Sequence, residues 1–248
     1  MRHVNFLYQL TKANFKLQNE NSYLGILWYL LGPVLMFGIL LYVFGGRLGS
    51  SIEQYPLYLL MGIINWNFFS AGTGRSMATI VRNAGLIKAL PIPLPLLIVS
   101  SVCHALLSHM FELALFMGAM FYFGVTPSLI VPYCIVLMLS SMFTIGVGFL
   151  LSAGYVFIRD LGEIWAIITR AWWFATPICY ALSPTGPGMY ISKFNPMFYS
   201  IYLSRETLIY GRMPTLDFFL IFAAIAVGTL VIGFSVFRLL RHSFIDHL

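Results

Sequence analysis

Polar side chains recur at helical spacing inside one long apolar run, and they are the first residues in the chain that could do chemistry. They are Ser101, His104, Ser108 and Glu112. A helix would place all four on one face, because residues three and four apart are neighbours there. An imidazole and a carboxylate on one face can relay protons. The spacing of His104, His109 and Glu112 matches no common zinc motif, so we expect no metal site.

A single cation, Arg170, stands inside a second apolar run. Its distance from Asp160 corresponds to roughly 15 Å of helix rise, about half the thickness of a bilayer's hydrocarbon layer. A charge at that depth costs roughly 2.5 to 3.5 kcal/mol and normally faces other helices or water. Two interpretations follow: a structural ion pair with Glu112, or a hydrated path on which Arg170 meets an anionic substrate.

Tryptophans surround Arg170 in the sequence, at Trp165, Trp172 and Trp173. Trp172 and Trp173 lie too near the middle of the run for an interfacial aromatic belt. A flat apolar ring with one polar N–H group suits the ring face of a sugar, and a row of such rings would let a sugar chain slide. Core packing is the alternative interpretation.

The composition indicates an integral membrane protein. Of 248 residues, 60% are hydrophobic and 9% are charged, and the mean hydropathy is +0.87, outside the usual range of soluble domains. No polar stretch approaches the roughly 50 residues of a second domain, so we expect a single transmembrane domain over residues 1–248. The net charge of +6 is scattered, which favours anionic lipid over nucleic acid. We expect no cleaved leader, because the first apolar run begins only near Leu24.

Six segments approach the roughly 20 apolar residues that a span needs, which predicts an all-α membrane protein with six transmembrane helices. The segments cover about 24–44, 55–71, 96–123, 129–157, 161–182 and 218–240. Lys and Arg are more numerous on the side of the two termini than on the other side. The termini are therefore expected to be cytoplasmic.

Two cytoplasmic segments flank the first spans. Residues 1–22 have the pattern of an amphipathic helix at the membrane interface, with Lys12 and Lys16 toward lipid phosphates. An ordinary positive anchor is the alternative. Three prolines in residues 91–95 stop any helix from running into span three. The resulting elbow is either a docking site for a soluble partner or a plain loop.

Helix signals also appear around span five. Asn195 is typical of an N-cap, Pro196 is typical of the first residue of a helix, and Gly211 is typical of a left-handed C-terminal stop. Together they predict a short amphipathic helix on the outer face, which is either interfacial or re-entrant. Asp160 and Glu163 form a capping pair that would begin span five.

The fourth span has one small residue every four positions. These residues are Ser140, Thr144, Gly148 and Ser152. They share one helical face, on which a neighbouring backbone can approach closely. We therefore interpret this face as a packing surface.

Several stretches, in their order and spacing, resemble the permease subunits of type 2 ATP-binding-cassette (ABC) exporters, in the branch that moves polysaccharides. The stretches are SYLGILWYLLGPVLMFGILLYVF, YPLYLLMGIINWNFF, NAGLIKALPIPLPLL, IRDLGEI, TPICY and NPMFYSIYLSRETLIYG. Together they cover nearly the whole chain.

This resemblance implies a homodimer in a bacterial inner membrane, with a conduit between the two copies. Two copies of a separate cytoplasmic ATPase would hold ATP and magnesium. The chain has no G-x-x-x-x-G-K-[ST] loop, so we expect no cofactor and no enzymatic activity in it. The implied substrate is an undecaprenyl-pyrophosphate-linked glycan of the O-antigen, capsule or teichoic-acid type.

The resemblance also implies a role for each group of residues. The glycan path would consist of Trp28, Tyr29, Tyr42, Trp165, Arg170, Trp172 and Trp173. Lys12 and Lys16 would receive the pyrophosphate headgroup. Coupling to the ATPase would involve Arg82, Asn83, Leu86, Lys88, Arg159 and Asp160. The outer gate would comprise Asn195, Pro196, Tyr199, Tyr202 and Arg205.

Three other functions compete with this interpretation. A proton-coupled secondary transporter would use His104 and Glu112 as its relay. An intramembrane glycosyltransferase is disfavoured because the chain has no Asp-x-Asp pair. An exporter of drugs or small lipids would have the same pattern of spans.

Overall fold

The computed structural model describes Gln9, Thr11 and residues 27–49, 51–89, 92–182 and 186–247. Throughout these residues the regular elements are helices, which confirms the predicted all-α class. They are α1 (Leu27–Leu48), α2 (Tyr55–Arg82), α3 (Ala84–Ala89), α4 (Leu94–Tyr122), α5 (Ile130–Phe157), α6 (Leu161–Ala175), α7 (Pro187–Ser192), α8 (Pro196–Leu208), α9 (Leu216–Leu240), a 3-10 turn (Arg241–Ser243) and α10 (Phe244–His247). Apart from Gln9 and Thr11, the predicted interfacial helix at 1–22, including Lys12 and Lys16, lies outside the described residues, and so does the side chain of Trp28.

Four helices in the described part of the chain are long and apolar enough to cross a membrane. They are Tyr29–Leu48, Leu94–Tyr122, Ile130–Phe157 and Leu216–Ser243. These helices indicate a multi-pass membrane protein. Among the other predicted spans, α2 is long but less apolar, and it continues past residue 71 to Arg82. At 15 residues, α6 rises only about 22 Å.

The fifth predicted segment, 161–182, does not stay helical to its end. Helix α6 stops at Ala175, and Thr176 has an extended backbone (φ −97°, ψ 134°). Pro177 explains the stop, because its ring disfavours the helical conformation of the preceding residue and it has no N–H to donate. The segment 176–182 is therefore irregular backbone beside the helices.

Pro93 of the elbow acts as predicted. Helix α4 begins only at Leu94, with Pro93 in an extended conformation at its N-cap. The short helix α3 follows α2 directly after Asn83, whose side chain donates to the Thr79 carbonyl at 2.7 Å. The chain therefore turns between α2 and α4 instead of forming one continuous helix.

Helix α2 is the centre of the bundle, and most of its residues are buried against α1, α4, α5 and α8. The predicted small-residue face of α5 packs here. A Cβ atom on Gly72 would lie 2.6 Å from the Thr144 side chain, and one on Gly148 would lie 2.8 Å from Ser76. These close approaches confirm the packing role of that face.

Helices α5 and α9 approach even more closely, at Gly146 and Gly233. A Cβ atom on Gly146 would lie 2.6 Å from the backbone of Thr229, and one on Gly233 would collide with the Gly146 carbonyl oxygen. This pair was not predicted. Glycine is needed at both positions because a side chain at either one would meet the backbone of the opposite helix.

The predicted caps were partly correct. Asn195 caps α8, since its side-chain oxygen accepts from the Met197 N–H at 3.0 Å, and Gly211 has the left-handed φ of 59°. Asp160 precedes α6, but its side chain forms no cap hydrogen bond. The predicted pair of Asp160 with Glu163 is therefore wrong. The backbone of Asp160 is already helical (φ −66°, ψ −13°), whereas an N-cap normally has a non-helical backbone.

Helix α8 also differs from the amphipathic surface helix that its spacing predicts. Ten of its thirteen residues are buried. Polar residues are accommodated inside because they find partners: Ser200 shares a hydrogen bond of 2.7 Å with Ser140, and Ser204 donates to the Ser200 carbonyl. The helix packs between α2, α5 and α9.

The connections lie at two ends of the bundle. At the first, which we call the Arg205 end, α8 and residues 176–182 meet the start of α2. At the second, the Arg159 end, the side chain of Arg159 donates to the His247 carbonyl at 3.3 Å, and Phe244 packs against Phe237. The two ends separate the candidate functional residues into distinct groups.

Candidate functional site

Arg170 lies on the exposed side of α6, at the edge of a cleft of about 600 Å³ between α1, α2 and α6. We call it the Arg170 cleft. Its lining includes Met36, Trp66, Asn67, Ser70, Arg170 and Trp173. Aromatic rings, an amide, a hydroxyl and a guanidinium therefore share one surface. Such a surface offers both hydrogen bonds and ring faces to a polar chain.

The tryptophans beside Arg170 divide into two groups. Trp173 lines the Arg170 cleft and packs edge-to-face on Phe174, whose side chain is 72% exposed. Trp165 and Trp172 point inward and pack edge-to-face on Phe69. Their position favours core packing for these two residues.

Each inward tryptophan also has a fixed polar partner. Trp165 donates its indole N–H to Thr73 at 3.2 Å. Trp172 donates to the Asn195 side-chain oxygen at 2.9 Å, and the Asn195 amide donates to Thr176 at 2.9 Å. Asn195, predicted as part of a gate, thus joins α6 to α8.

Glu112 is buried and belongs to a different group from Arg170. Its carboxylate accepts from Asn67 at 3.5 Å and lies 3.5 Å from His109. In the described residues Arg170 and Glu112 form no ion pair, so the structural-pair interpretation is wrong for this single copy of the chain. The reason is placement, because Arg170 is on the exposed side of α6 whereas Glu112 faces α2 from α4.

The other residues of the α4 face are buried as their spacing predicted. His104 and Ser108 both lie inside the bundle. The Tyr29 hydroxyl is 3.4 Å from His104 Nε2, and the Tyr29 ring stacks on Phe111. Tyr42, the other tyrosine assigned to the path, is 90% exposed on α1.

Arg205 is the most completely buried Lys or Arg of the described residues, and this burial was not predicted. Its guanidinium donates to the carbonyls of Tyr58, Pro177 and Ile178 at 2.8 to 3.1 Å. It also lies 3.3 Å from the centre of the Tyr58 ring. Gly62 leaves room for it, because a Cβ atom there would be 2.7 Å from Arg205 Nη2.

Tyrosines complete the support of the irregular segment. The hydroxyl of Tyr55 donates to the Cys179 carbonyl at 3.1 Å, and that of Tyr58 donates to the Tyr180 carbonyl at 2.8 Å. With the two bonds from Arg205, four consecutive carbonyls from residues 177–180 are satisfied by side chains. Non-helical backbone inside a membrane protein needs such partners.

A second cavity, of about 460 Å³, lies at the Arg205 end. We call it the Glu206 pocket. Its lining includes Tyr58, Phe198, Tyr202, Glu206, Tyr210 and Arg212. The Phe198 and Tyr202 rings stack with centroids 5.6 Å apart. Tyr202 and Arg205, both predicted for the gate, meet here, while Tyr199 points away and donates to the Lys193 carbonyl at 2.9 Å.

The residues predicted to couple to an ATPase share the Arg159 end. Arg82, Leu86 and Lys88 are exposed on and beside α3, as are Arg159 and Asp160 in the turn before α6. Their common exposure leaves a surface on which a soluble partner has access to two separate segments.

Comparison with known proteins identifies the family. The profile of the ABC-2 type transporter family matches residues 5–209. The chain belongs to the ABC-2 type transporter family. The matched region of this ABC-2 transporter includes the Arg170 cleft, the segments 82–88 and 159–160, and α8; Tyr210 and Arg212 of the Glu206 pocket lie just beyond it.

Individual relatives match this ABC-2 transporter along most of their length. O-antigen export system permease protein RfbA of Myxococcus xanthus is 27% identical, covering 97% of this chain and 94% of the relative. RfbA of Klebsiella pneumoniae is 26% identical over 96% and 92% of the two chains. Polysialic acid transport protein KpsM of Escherichia coli is 26% identical over 87% and 85%.

Proposed function

We propose that this chain is the permease subunit of an ATP-driven exporter that passes lipid-linked polysaccharide, of the O-antigen, capsule or teichoic-acid type, out of the cytoplasm. Three relatives support this substrate class, because two are named as O-antigen export permeases and one as a polysialic acid transport protein. The relatives match along almost their full length, so the proposal concerns the whole permease.

The observation that carries the proposal is the exposure of Arg170 beside Trp173 in the Arg170 cleft. A guanidinium facing lipid costs roughly 2.5 to 3.5 kcal/mol, so this face belongs against water or another protein surface. The rings supply flat apolar contacts, while Asn67, Ser70 and Arg170 supply hydrogen-bonding groups. A glycan presents both kinds of surface.

A second copy of the chain completes the conduit in this proposal. Two bundles related by a two-fold axis would bring two Arg170 clefts together around a common path. Tyr42 and the exposed side of α1 would border it. We assign α2 and α6 as the second and fifth of six spans, with both termini in the cytoplasm of a bacterial cell and the chain in its inner membrane.

The energy would come from two copies of a cytoplasmic ATPase, which hold ATP and magnesium. Arg82, Leu86 and Lys88, with Arg159 and Asp160, form the surface on which they dock at the Arg159 end. Lys12 and Lys16 would receive the pyrophosphate of an undecaprenyl-linked glycan by charge attraction. The Arg205 end, with α8, would then be the outer exit.

Reconstitution tests the proposal. Purified permease and the ATPase from a neighbouring reading frame are placed in proteoliposomes with an undecaprenyl-pyrophosphate-linked glycan, and protected glycan is measured. We expect transport that needs ATP and both proteins. Replacing Arg170 with Ala should reduce transport roughly tenfold, whereas Arg238→Ala, at an exposed arginine of α9 outside the Arg170 cleft, should have little effect.

Two results would contradict the proposal. Transport driven by a pH gradient without ATP would identify a secondary transporter. Transport of a fluorescent lipid or dye, with no transport of the glycan, would identify an exporter of small amphiphiles.

A further inference from the structure

The Glu206 pocket is separate from the Arg170 cleft, and it lies at the Arg205 end, where the proposed path would leave the protein. The two cavities have no lining residue in common. The Glu206 pocket lies between residues 51–53, the irregular segment 177–182, α7 and α8. Its volume of about 460 Å³ falls within the usual range for small-molecule sites.

One side of the pocket is aromatic. Phe198 and Tyr202 stack nearly parallel, with an interplanar angle of 25°, and the Phe218 ring lies 5.0 Å from that of Tyr202. The Arg205 guanidinium lies against the ring of Tyr58 and holds that ring in place. These contacts fix the orientations of the rings. Phe198 and Tyr58 are buried, whereas Tyr202 is only partly buried and can present apolar ring surface to a ligand.

Charged groups form another part of the wall. Glu206 is half-buried, and in the described residues its carboxylate has no hydrogen bond or ion pair within 4 Å. Burial raises the pKa of Glu206, and the nearby Arg212 only partly opposes that effect. Arg212 reaches Glu53 at 3.9 Å, with both side chains largely exposed. A half-buried carboxylate on the wall of a pocket is free to accept hydrogen bonds from a ligand that enters it.

Arg205 is not available to such a ligand. Its guanidinium is occupied by three carbonyls and a ring. Arg205 is instead a positioning residue, since it joins Tyr58 to residues 177 and 178 and so fixes two walls of the pocket. The groups that can meet a ligand are Glu206, Arg212 and the ring of Tyr202.

We propose that the Glu206 pocket binds a saccharide unit. Glu206 accepts hydrogen bonds from ring hydroxyls, Arg212 donates to a hydroxyl or carboxylate of the sugar, and Tyr202 lies against its C–H face. An acyl chain would offer no donor to Glu206 and no acceptor to Arg212, so it fits poorly. The placement of the pocket on the outer face rests on the proposed function, but the binding of a sugar to this chain does not.

Direct binding tests this inference. The purified protein in lipid nanodiscs is mixed with mannose, N-acetylglucosamine or glucuronic acid, and saturation-transfer NMR records contact with the sugar ring protons. Tetraethylene glycol, which has oxygens but no ring face, is the control probe. We expect transfer to at least one sugar and none to tetraethylene glycol.

Matched variants locate the site. Glu206→Gln and Tyr202→Leu should weaken sugar binding roughly tenfold. Asp217→Asn and Tyr190→Leu, which change an exposed carboxylate and an exposed ring outside the pocket, should not. Glu206→Asp keeps the charge and should retain part of the binding, which separates loss of the carboxylate from misfolding.

Absence of transfer to all three sugars would overturn the inference, and so would wild-type binding by Glu206→Gln. The saccharide has two possible sources, the exported glycan or free sugar outside the cell. If it is the glycan, Glu206→Gln also slows export in proteoliposomes; if it is free sugar, binding is lost while export continues. Both results support the site, and neither depends on whether ATP drives the transport.

Discussion

At the residue scale, Arg205 has nearly all of its hydrogen-bonding groups engaged inside the protein. Four of its five N–H groups are engaged, and they bond to three carbonyls. A buried guanidinium is tolerated only when such bonds replace water. Pro177 ends α6, and the carbonyls of residues 177 and 178 therefore have no helical N–H partner. Arg205 donates to both carbonyls and so stabilises the end of the helix that the proline causes.

We expect Arg205→Lys to destabilise the protein although the charge is kept. One ammonium cannot reach the carbonyls of Tyr58, Pro177 and Ile178 together, and each orphaned buried carbonyl costs roughly 1 to 3 kcal/mol. Thermal unfolding of the purified protein in detergent measures the effect. Arg212→Lys, at an exposed arginine of the same region, should change stability by less than about 0.5 kcal/mol. Equal stability of the two variants would contradict the role of Arg205.

Glu206 predicts a pH dependence. Burial raises the pKa of Glu206 in the folded protein above its unfolded value of about 4.3. The folded state therefore binds this proton more tightly, and the stability it contributes is present below the unfolded pKa and is lost as pH rises through the folded pKa. Relative to Glu206→Gln, the wild type should lose thermal stability as pH rises from about 4 toward neutrality. A difference in Tm that stays constant across that range would refute this.

The sequence could identify Arg170 but not Arg205, and the reason is physical. A cation inside an apolar run is visible in the sequence, whereas Arg205 stands among Ser, Tyr and Glu residues that suggest a surface helix. Its burial depends on α2 and residues 177–178 meeting it in space. Likewise, the position of Glu112 on a shared face of α4 was predicted, but its contact with Asn67 depends on how α4 packs on α2.

At the element scale, helix type and most boundaries follow from apolar runs, caps and prolines. Residues 129–157 were predicted as a span, and α5 covers Ile130–Phe157. The extension of α2 to Arg82 was not predicted, because hydropathy falls after residue 71 while helix propensity does not. The early end of α6 was missed because an apolar run does not reveal whether its last residues remain helical.

The contact of α5 with α9 gives a prediction at this scale. Gly233→Ala would place a methyl group against the Gly146 carbonyl, so we expect a loss of roughly 1 to 3 kcal/mol. Gly228→Ala, on the same helix with open space around it, should be neutral or slightly stabilising, because Ala favours helix over Gly. Denaturant titration in detergent compares them, and equal midpoints would argue against close packing here.

At the scale of the whole molecule, one face of the described bundle has a residue composition that contact with lipid does not explain. Lipid-facing surfaces elsewhere on the bundle are apolar, as on α9, where Val231 and Ile232 are each more than half exposed. The face of α6 instead combines the charge of Arg170 with Ile167, which is 66% exposed. A second copy placed against α1 and α6 would cover the apolar part and leave the charge in a hydrated path.

Cysteine cross-linking tests this arrangement. In a background where Cys103, Cys134 and Cys179 are replaced, Ile167→Cys should form a disulfide-linked dimer in native membranes, because a two-fold axis near α6 brings the two copies of one residue together. Ile232→Cys, equally exposed on α9, should stay monomeric. Arg170→Cys should react with a membrane-impermeant maleimide, since its position borders water in the assembly. A position 170 that reacts only with lipid-soluble reagents, together with an uncross-linked Ile167→Cys, would mean that α6 faces acyl chains and that the conduit lies elsewhere.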